Sequence, residues 1–112
     1  MSEQQQNDGW IDTRHGMPQA GDIAERRLEV GARHIELFTE MSGDRNPLHT
    51  DREAAEKSRF GGLIVQGGVT TGILNAVVAE DLPGAGSVFL SVDWKLSKPV
   101  YVGDTITVRE DK

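Results

Sequence analysis

Asp44 and His49 stand five positions apart in the run Met41-Ser42-Gly43-Asp44-Arg45-Asn46-Pro47-Leu48-His49. A carboxylate and an imidazole so spaced can act on one bound water. Imidazole titrates near neutrality and exchanges protons, and a neighbouring carboxylate fixes its tautomer and helps hold the water. Convergence of the two side chains needs a bent backbone. Pro47 has no amide hydrogen and biases Asn46 away from helical geometry, while Ser42-Gly43 favours a turn, so the spacing predicts a non-helical loop over 44–49. On these residues alone a second reading stands beside the catalytic one: Asp44 makes a turn hydrogen bond and His49 is polar surface. A metal loop is disfavoured. A calcium loop needs glycine at its sixth position, where this chain has His49, and Asp44, His49 and Asp51 make a poor ligand set. No metal and no cofactor are expected.

Gly67-Gly68 is a second constellation with chemical use. The pair opens an apolar stretch that reads as a helix, and the amides of a helix's first turn lack intrahelical partners and carry partial positive charge. They can hold a carbonyl oxygen that gains negative charge during a reaction. Close packing of the helix against a neighbour demands glycine equally well, and both readings stay open. Phosphate-loop and dinucleotide readings fail, because Gly72 is followed by Ile73-Leu74 rather than Lys and Ser/Thr. Lys95 and Lys98 can meet an anionic ligand or merely aid solubility. His15 and His34 read as solvated, Trp94 as core, and Asn75 as a polar residue that needs a partner if buried.

The elements that must place these residues follow from pattern. Ile23 to Val30 reads as a short strand ended by Gly31, and Ala32 to Met41 as an amphipathic helix through Ile35, Leu37, Phe38 and Met41. Thr50 and Glu53 match a capping box for a small helix reaching Lys57. Gln66 to Ala79 has almost no polar side and reads as a long buried helix, closed by Asp81-Leu82-Pro83-Gly84. Ser87 to Ser97 alternates cleanly through Val88, Leu90, Val92, Trp94 and Leu96, which predicts a strand. A further strand runs from Thr105 to Arg109 after a Gly103-Asp104 turn. This is an α+β order, a mostly antiparallel sheet curling over one apolar helix.

The bulk properties bound the function. Twelve basic against eighteen acidic side chains give a net charge of −6, with no basic stripe, so nucleic acid is not an expected partner. No cysteine is present, which fits a reducing compartment. The longest apolar stretch, about fourteen residues, is too short to span a bilayer. With no signal-peptide pattern at the N-terminus, a cytoplasmic protein is expected, with no membrane partner. Residues 1–20 read as a flexible arm and 21–112 as one domain. Roughly ninety folding residues are marginal as a monomer, so a second copy is an expected partner.

The Met41–His49 run, the glycine-led apolar helix, Leu82-Pro83-Gly84 and Pro99-Val100-Tyr101-Val102-Gly103-Asp104 together resemble the MaoC-like family, which includes (R)-specific enoyl-CoA hydratases. The resemblance runs from about Ile23 to the end of the chain. It implies a hot-dog fold, an antiparallel sheet wrapped around a long central helix, and a homodimer or higher oligomer. It also implies that Asp44 and His49 are catalytic, activating water for addition to a trans-2-enoyl-CoA to give an (R)-3-hydroxyacyl-CoA. Asn46 would shape the loop, and Gly67 with Gly68 would bind substrate at the helix start, Gly67 giving the oxyanion amide. Gln66 stands where family members often carry His and would also border the substrate. The resemblance further implies two strands beyond the one starting near Thr105, so the domain reads as C-terminally short: a fragment, a chain completed by a partner, or a trimmed relative. A thioesterase and a non-catalytic acyl-thioester-binding or scaffold module on the same fold are the competing functions.

Overall fold

The computed structural model describes residues 16–111. Most of the predicted arm, 1–15 with His15, lies outside the described residues. The chain order is β1 (Ile23–Glu29), α1 (Ala32–Ser42), α2 (Pro47–Thr50), α3 (Arg52–Lys57), α4 (Gly67–Ala76), a π-helical turn (Val77–Asp81) and β2 (Thr105–Asp111). β1 and β2 pair as a two-stranded antiparallel sheet. An isolated antiparallel bridge joins Ile64 to Tyr101. The architecture is the α+β hot-dog arrangement, antiparallel strands with a long helix. Among the described residues no helix is long and apolar enough to cross a membrane.

Two compact units share the chain. One comprises the residues up to Arg26, Ile73–Trp94 and those from Thr107; the other comprises Arg27–Gly72 and Lys95–Ile106. In the first, Val77, Leu82 and Val108 are buried. Arg26 of β1 donates twice to the Asp81 carboxylate, at 2.6 and 2.9 Å. This fork tethers the strand to the end of the π turn. The hydrogen bond from Arg26, and then its charge, lower the Asp81 pKa from its usual carboxylate value. Glu110 behaves in the opposite way. Burial, and then the Asp81 charge, raise its pKa, and its Oε2 is buried with no partner among the described residues.

The second unit holds the predicted chemistry. Its core is Val30, Ile35, Ala55, Ile64, Val65 and Val69, with Thr39 and Gln66 buried beside them. α1 starts where Gly31 N–H donates to His34 Nδ1 at 3.0 Å, so His34 closes a helix start instead of being a free surface group. It ends on Gly43 at φ +81°, whose N–H returns to Thr39 O. That left-handed residue lets the helix stop and the chain turn toward Asp44.

Three expectations need correction. The 44–49 stretch is not wholly loop, since Pro47–Thr50 forms one helical turn. Proline is tolerated at the first helical position, where its missing N–H would have had no partner. The next helix is capped by Asp51, not Thr50, its carboxylate accepting from Ala54 N at 3.1 Å. The largest difference concerns Ser87–Ser97, which forms no strand among the described residues. Leu90 is 96% exposed, Val88 82% and Trp94 43%, so Trp94 is not core. Alternation marks which face of a strand is apolar, but a ladder needs a second chain segment alongside to bond.

Candidate active site

The 42–49 segment is built by side chains that replace missing backbone partners. Ser42 Oγ donates to Phe38 O at 2.7 Å and accepts from Asp44 N at 3.1 Å. Asp44 Oδ1 accepts from Asn46 N, and Asn46 Oδ1 from Leu48 N, both at 3.1 Å. Each short polar residue thus bonds the amide two positions on, a chain of Asx-type turns that fixes the bend. Asn46 is the N-cap of α2, a loop-shaping part. Asp44 is left with Oδ2 free to face inward.

His49 meets that oxygen. Its Nε2 lies 3.8 Å from Asp44 Oδ2, with the His49 side chain 10% exposed and that of Asp44 37%. The other ring nitrogen, Nδ1, lies 2.7 Å from Ile64 O. A carbonyl only accepts, so Nδ1 carries the hydrogen. In the neutral ring Nε2 then presents a lone pair on the side of the carboxylate. Two acceptors 3.8 Å apart are too far for a direct bond but close enough to share one hydrogen-bonded water. The sequence reading of Asp44 as a turn residue is seen in its Oδ1, which accepts from Asn46 N, while its Oδ2 lies on the side of His49.

Close packing bears on both glycines of the Gly67-Gly68 pair, since a Cβ on Gly67 would lie 2.8 Å from Leu96 Cδ1. A Cβ on Gly68 would run into the Phe38 ring, so close approach of α1 to α4 demands glycine there. Gly67 is exposed and lines a cavity of about 470 Å³ together with Phe60, Ile64, Leu96, Val100 and the two lysines Lys95 and Lys98. Asp44 and His49 do not line it. Their link to it is Ile64, whose carbonyl accepts from His49 and whose residue forms part of the wall.

Gln66 is 2% exposed, and its Nε2 donates to Thr39 Oγ1 at 2.9 Å and to Ile35 O at 3.3 Å. Its amide is committed to α1, so the structure does not gather it with Gly67 at the cavity, as the sequence reading had expected. Its Oε1 is buried with no partner among the described residues. Asn75 is exposed and needs no partner. Sequence reasoning missed Ile64 and Tyr101. The Tyr101 hydroxyl donates to Phe60 O at 2.8 Å, pinning the segment that carries Ile64. Backbone carbonyls leave no mark in residue types; the apolar Ile64 next to Val65 was the one available sign of a buried segment.

The MaoC like domain family matches residues 13–112. A 3-hydroxybutyryl-CoA dehydratase of Methylorubrum extorquens is 36% identical over 83 residues, covering 74% of this chain and 53% of that protein. An (R)-specific enoyl-CoA hydratase of Aeromonas caviae is 33% identical over 101 residues, covering 84% of this chain and 75% of that protein. The solved structure of the A. caviae (R)-hydratase involved in PHA biosynthesis superposes with a TM-score of 0.81 at 31% identity, over 84% of this chain and 71% of that one. The chain thus spans about half the length of the first of these relatives and three quarters of the second.

Proposed function

Because the chain belongs to the MaoC-like domain family, we propose that it catalyses reversible addition of water to a trans-2-enoyl-CoA, giving an (R)-3-hydroxyacyl-CoA. The single observation that carries this reading is His49 held between Ile64 O and Asp44. A water seated against both Asp44 Oδ2 and His49 Nε2 gives one hydrogen to each acceptor. As its oxygen bonds to C3 of the enoyl thioester, one water proton passes to a base of the pair, and the base so protonated gives that proton to C2, so that H and OH add across the double bond and the pair returns to its starting state. Negative charge that develops on the thioester oxygen is met by the Gly67 amide, which as a first-turn N–H lacks an intrahelical acceptor. We further read the working form as a homodimer or higher homo-oligomer, supported by the exposed apolar run Val88–Leu96.

The test is loss of enoyl-thioester absorbance when the protein meets crotonyl-CoA. Asp44→Asn and His49→Ala are each expected to lower kcat by about 10²- to 10⁴-fold, the range of a positioned acid or base. The double variant is expected to be little worse than the poorer single one, because two groups that share one water act as a unit. Unchanged turnover in either single variant overturns the reading. Release of free thiol in place of hydration would assign a thioesterase instead, and binding without any product a non-catalytic module.

A further inference from the structure

Gln66 is the most deeply buried polar side chain among the described residues, and only half of its amide is satisfied. Nε2 donates to Thr39 Oγ1 and to Ile35 O, while Oε1 has no partner among the described residues. A buried acceptor left unpaired works against stability, and an apolar side chain of similar length would fill the position without that penalty. Packing alone does not account for an amide here. Thr39 lies near the end of α1, and its carbonyl accepts from the N–H of Gly43, where the chain turns toward Asp44. Gln66 immediately precedes Gly67, the first residue of α4. Its backbone is held as well: its carbonyl accepts from Val69 N at 3.0 Å, and Val65 N donates to Val100 O at 2.7 Å. A trans peptide is planar with C=O and N–H opposed, so a Gln66 carbonyl turned into α4 aims the Gly67 N–H back out of the helix start.

We propose that Gln66 is a positioning residue: its side-chain amide, clamped to Thr39 and Ile35, sets the place and direction of the Gly67 N–H relative to the loop that carries Asp44 and His49. This rests on the hydration reading above and adds the residue that joins its two halves. Addition of water next to a thioester needs the water and the donor to the thioester oxygen at a fixed separation, since a displacement of about 1 Å can lower the rate by about 10²-fold. The loop follows α1 and the donor begins α4, so that separation is not set by local chain geometry. The Gln66–Thr39 bond crosses 27 residues of sequence and lies in the interior, where solvent does not compete for it. His49 is tied to the same entering segment through Ile64 O, so anchors at 64 and 66 bracket the approach to α4. The unpaired Oε1 is then the stability given up for this placement, a trade expected of a functional position.

The experiment compares Gln66→Met, Thr39→Val, their double variant and Thr39→Ser in the full chain. With crotonyl-CoA, Gln66→Met and Thr39→Val are each expected to lower kcat by about 10- to 10²-fold with KM within about twofold, as for a contact realised only in the transition state. The double variant is expected to match the poorer single one in kcat yet to melt at or above the wild-type temperature, because both polar partners are replaced by apolar groups of similar shape. Thr39→Ser keeps the hydroxyl and is expected to retain most of kcat. A second readout needs no turnover: isotope-edited infrared spectra of bound butyryl-CoA, labelled at the thioester carbonyl, report the hydrogen bond to that oxygen. The carbonyl band is expected to shift to lower frequency on the wild-type chain and on Asp44→Asn, and to lose most of that shift on the double variant. A folded double variant with wild-type kcat and carbonyl shift overturns the proposal, and so does a wild-type chain that shifts no band. Should the double variant not fold, equal kcat and equal shifts in Thr39→Val and Thr39→Ser overturn it. Failure of the two readings is separable. Hydration with a carbonyl shift independent of Gln66 sinks the positioning role and leaves hydration standing, and a Gln66-dependent shift without hydration does the reverse.

Discussion

Substituting alanine at two glycines of α4 separates close packing from simple helix propensity. Gly68 and Gly72 lie in the same helix, one turn apart, yet a Cβ at Gly72 meets nothing within 4 Å and one at Gly68 collides with the Phe38 ring. Alanine is favoured over glycine inside a helix by about 0.8–1.0 kcal/mol, so Gly72→Ala is expected to stabilise by about that amount. Gly68→Ala has the same propensity gain, set against overpacking of about 1–3 kcal/mol as the ring is pushed aside. The two variants are therefore expected to differ by about 1–3 kcal/mol, with Gly68→Ala the less stable. Phe38→Leu should recover most of that difference, because shortening the ring removes the colliding atoms. Urea unfolding followed by helical circular dichroism measures all three, with unchanged slopes marking a change in stability alone. If Gly68→Ala matches Gly72→Ala, the close approach of α1 and α4 is not what requires glycine.

Two further outcomes follow from the charges and the exposed surface. Glu110 has a pKa raised by burial and by Asp81, so the folded chain holds that proton more tightly than the unfolded one. Its penalty is absent below the unfolded carboxylate range and full above the raised value. Glu110→Gln should therefore raise the melting temperature at neutral pH and lose that advantage in acid. Asp81, lowered by Arg26, has the opposite sign, so Asp81→Asn should destabilise at neutral pH and matter progressively less as pH falls through the lowered value. Melting curves of both variants across pH check the pair, and parallel behaviour would contradict the geometry. Separately, the exposed Val88–Leu96 run predicts a solution mass by light scattering of at least twice 12.2 kDa, and Leu90→Lys should shift it toward the single chain.

The elements that carry their own punctuation were readable from residue order. β1 ends before Gly31, α1 stops at Gly43, and α4 begins at the glycine pair, each because a local backbone preference coincides with a change of pattern. The Asp44–His49 convergence was readable for the same reason: Ser42, Asp44 and Asn46 are short polar residues able to bond their own backbone. What depended on distant partners was not. Alternation in Ser87–Ser97 says nothing about whether a second strand lies alongside, so Trp94 was expected inside and is found outside. Gln66 was expected beside the substrate because it stands where the family often carries His, but its direction is set by Ile35 and Thr39, 31 and 27 residues earlier in the chain and on another helix. The cavity itself joins the 60–70 segment to 95–100, and no local pattern announces such a junction.

Ile64 connects the imidazole to the cavity although the two share no wall. Its N–H donates to Leu48 O at 3.2 Å, its carbonyl accepts from His49 Nδ1, and it bridges to Tyr101, with Val65 N donating to Val100 O at 2.7 Å next door. The loop with Asp44 and His49 is thus docked, through two consecutive residues, on a short extended segment whose other edge is held by 100–102. Because side chains alternate along an extended chain, a slip of one residue in that pairing would turn Ile64 away from the cavity and move its carbonyl from His49. The ring would then lose the acceptor that keeps hydrogen on Nδ1, and Nε2 would no longer be the nitrogen obliged to carry the lone pair beside Asp44. The His49 tautomer is therefore set by register between two segments far apart in the chain, and not by the Asp44–His49 motif itself.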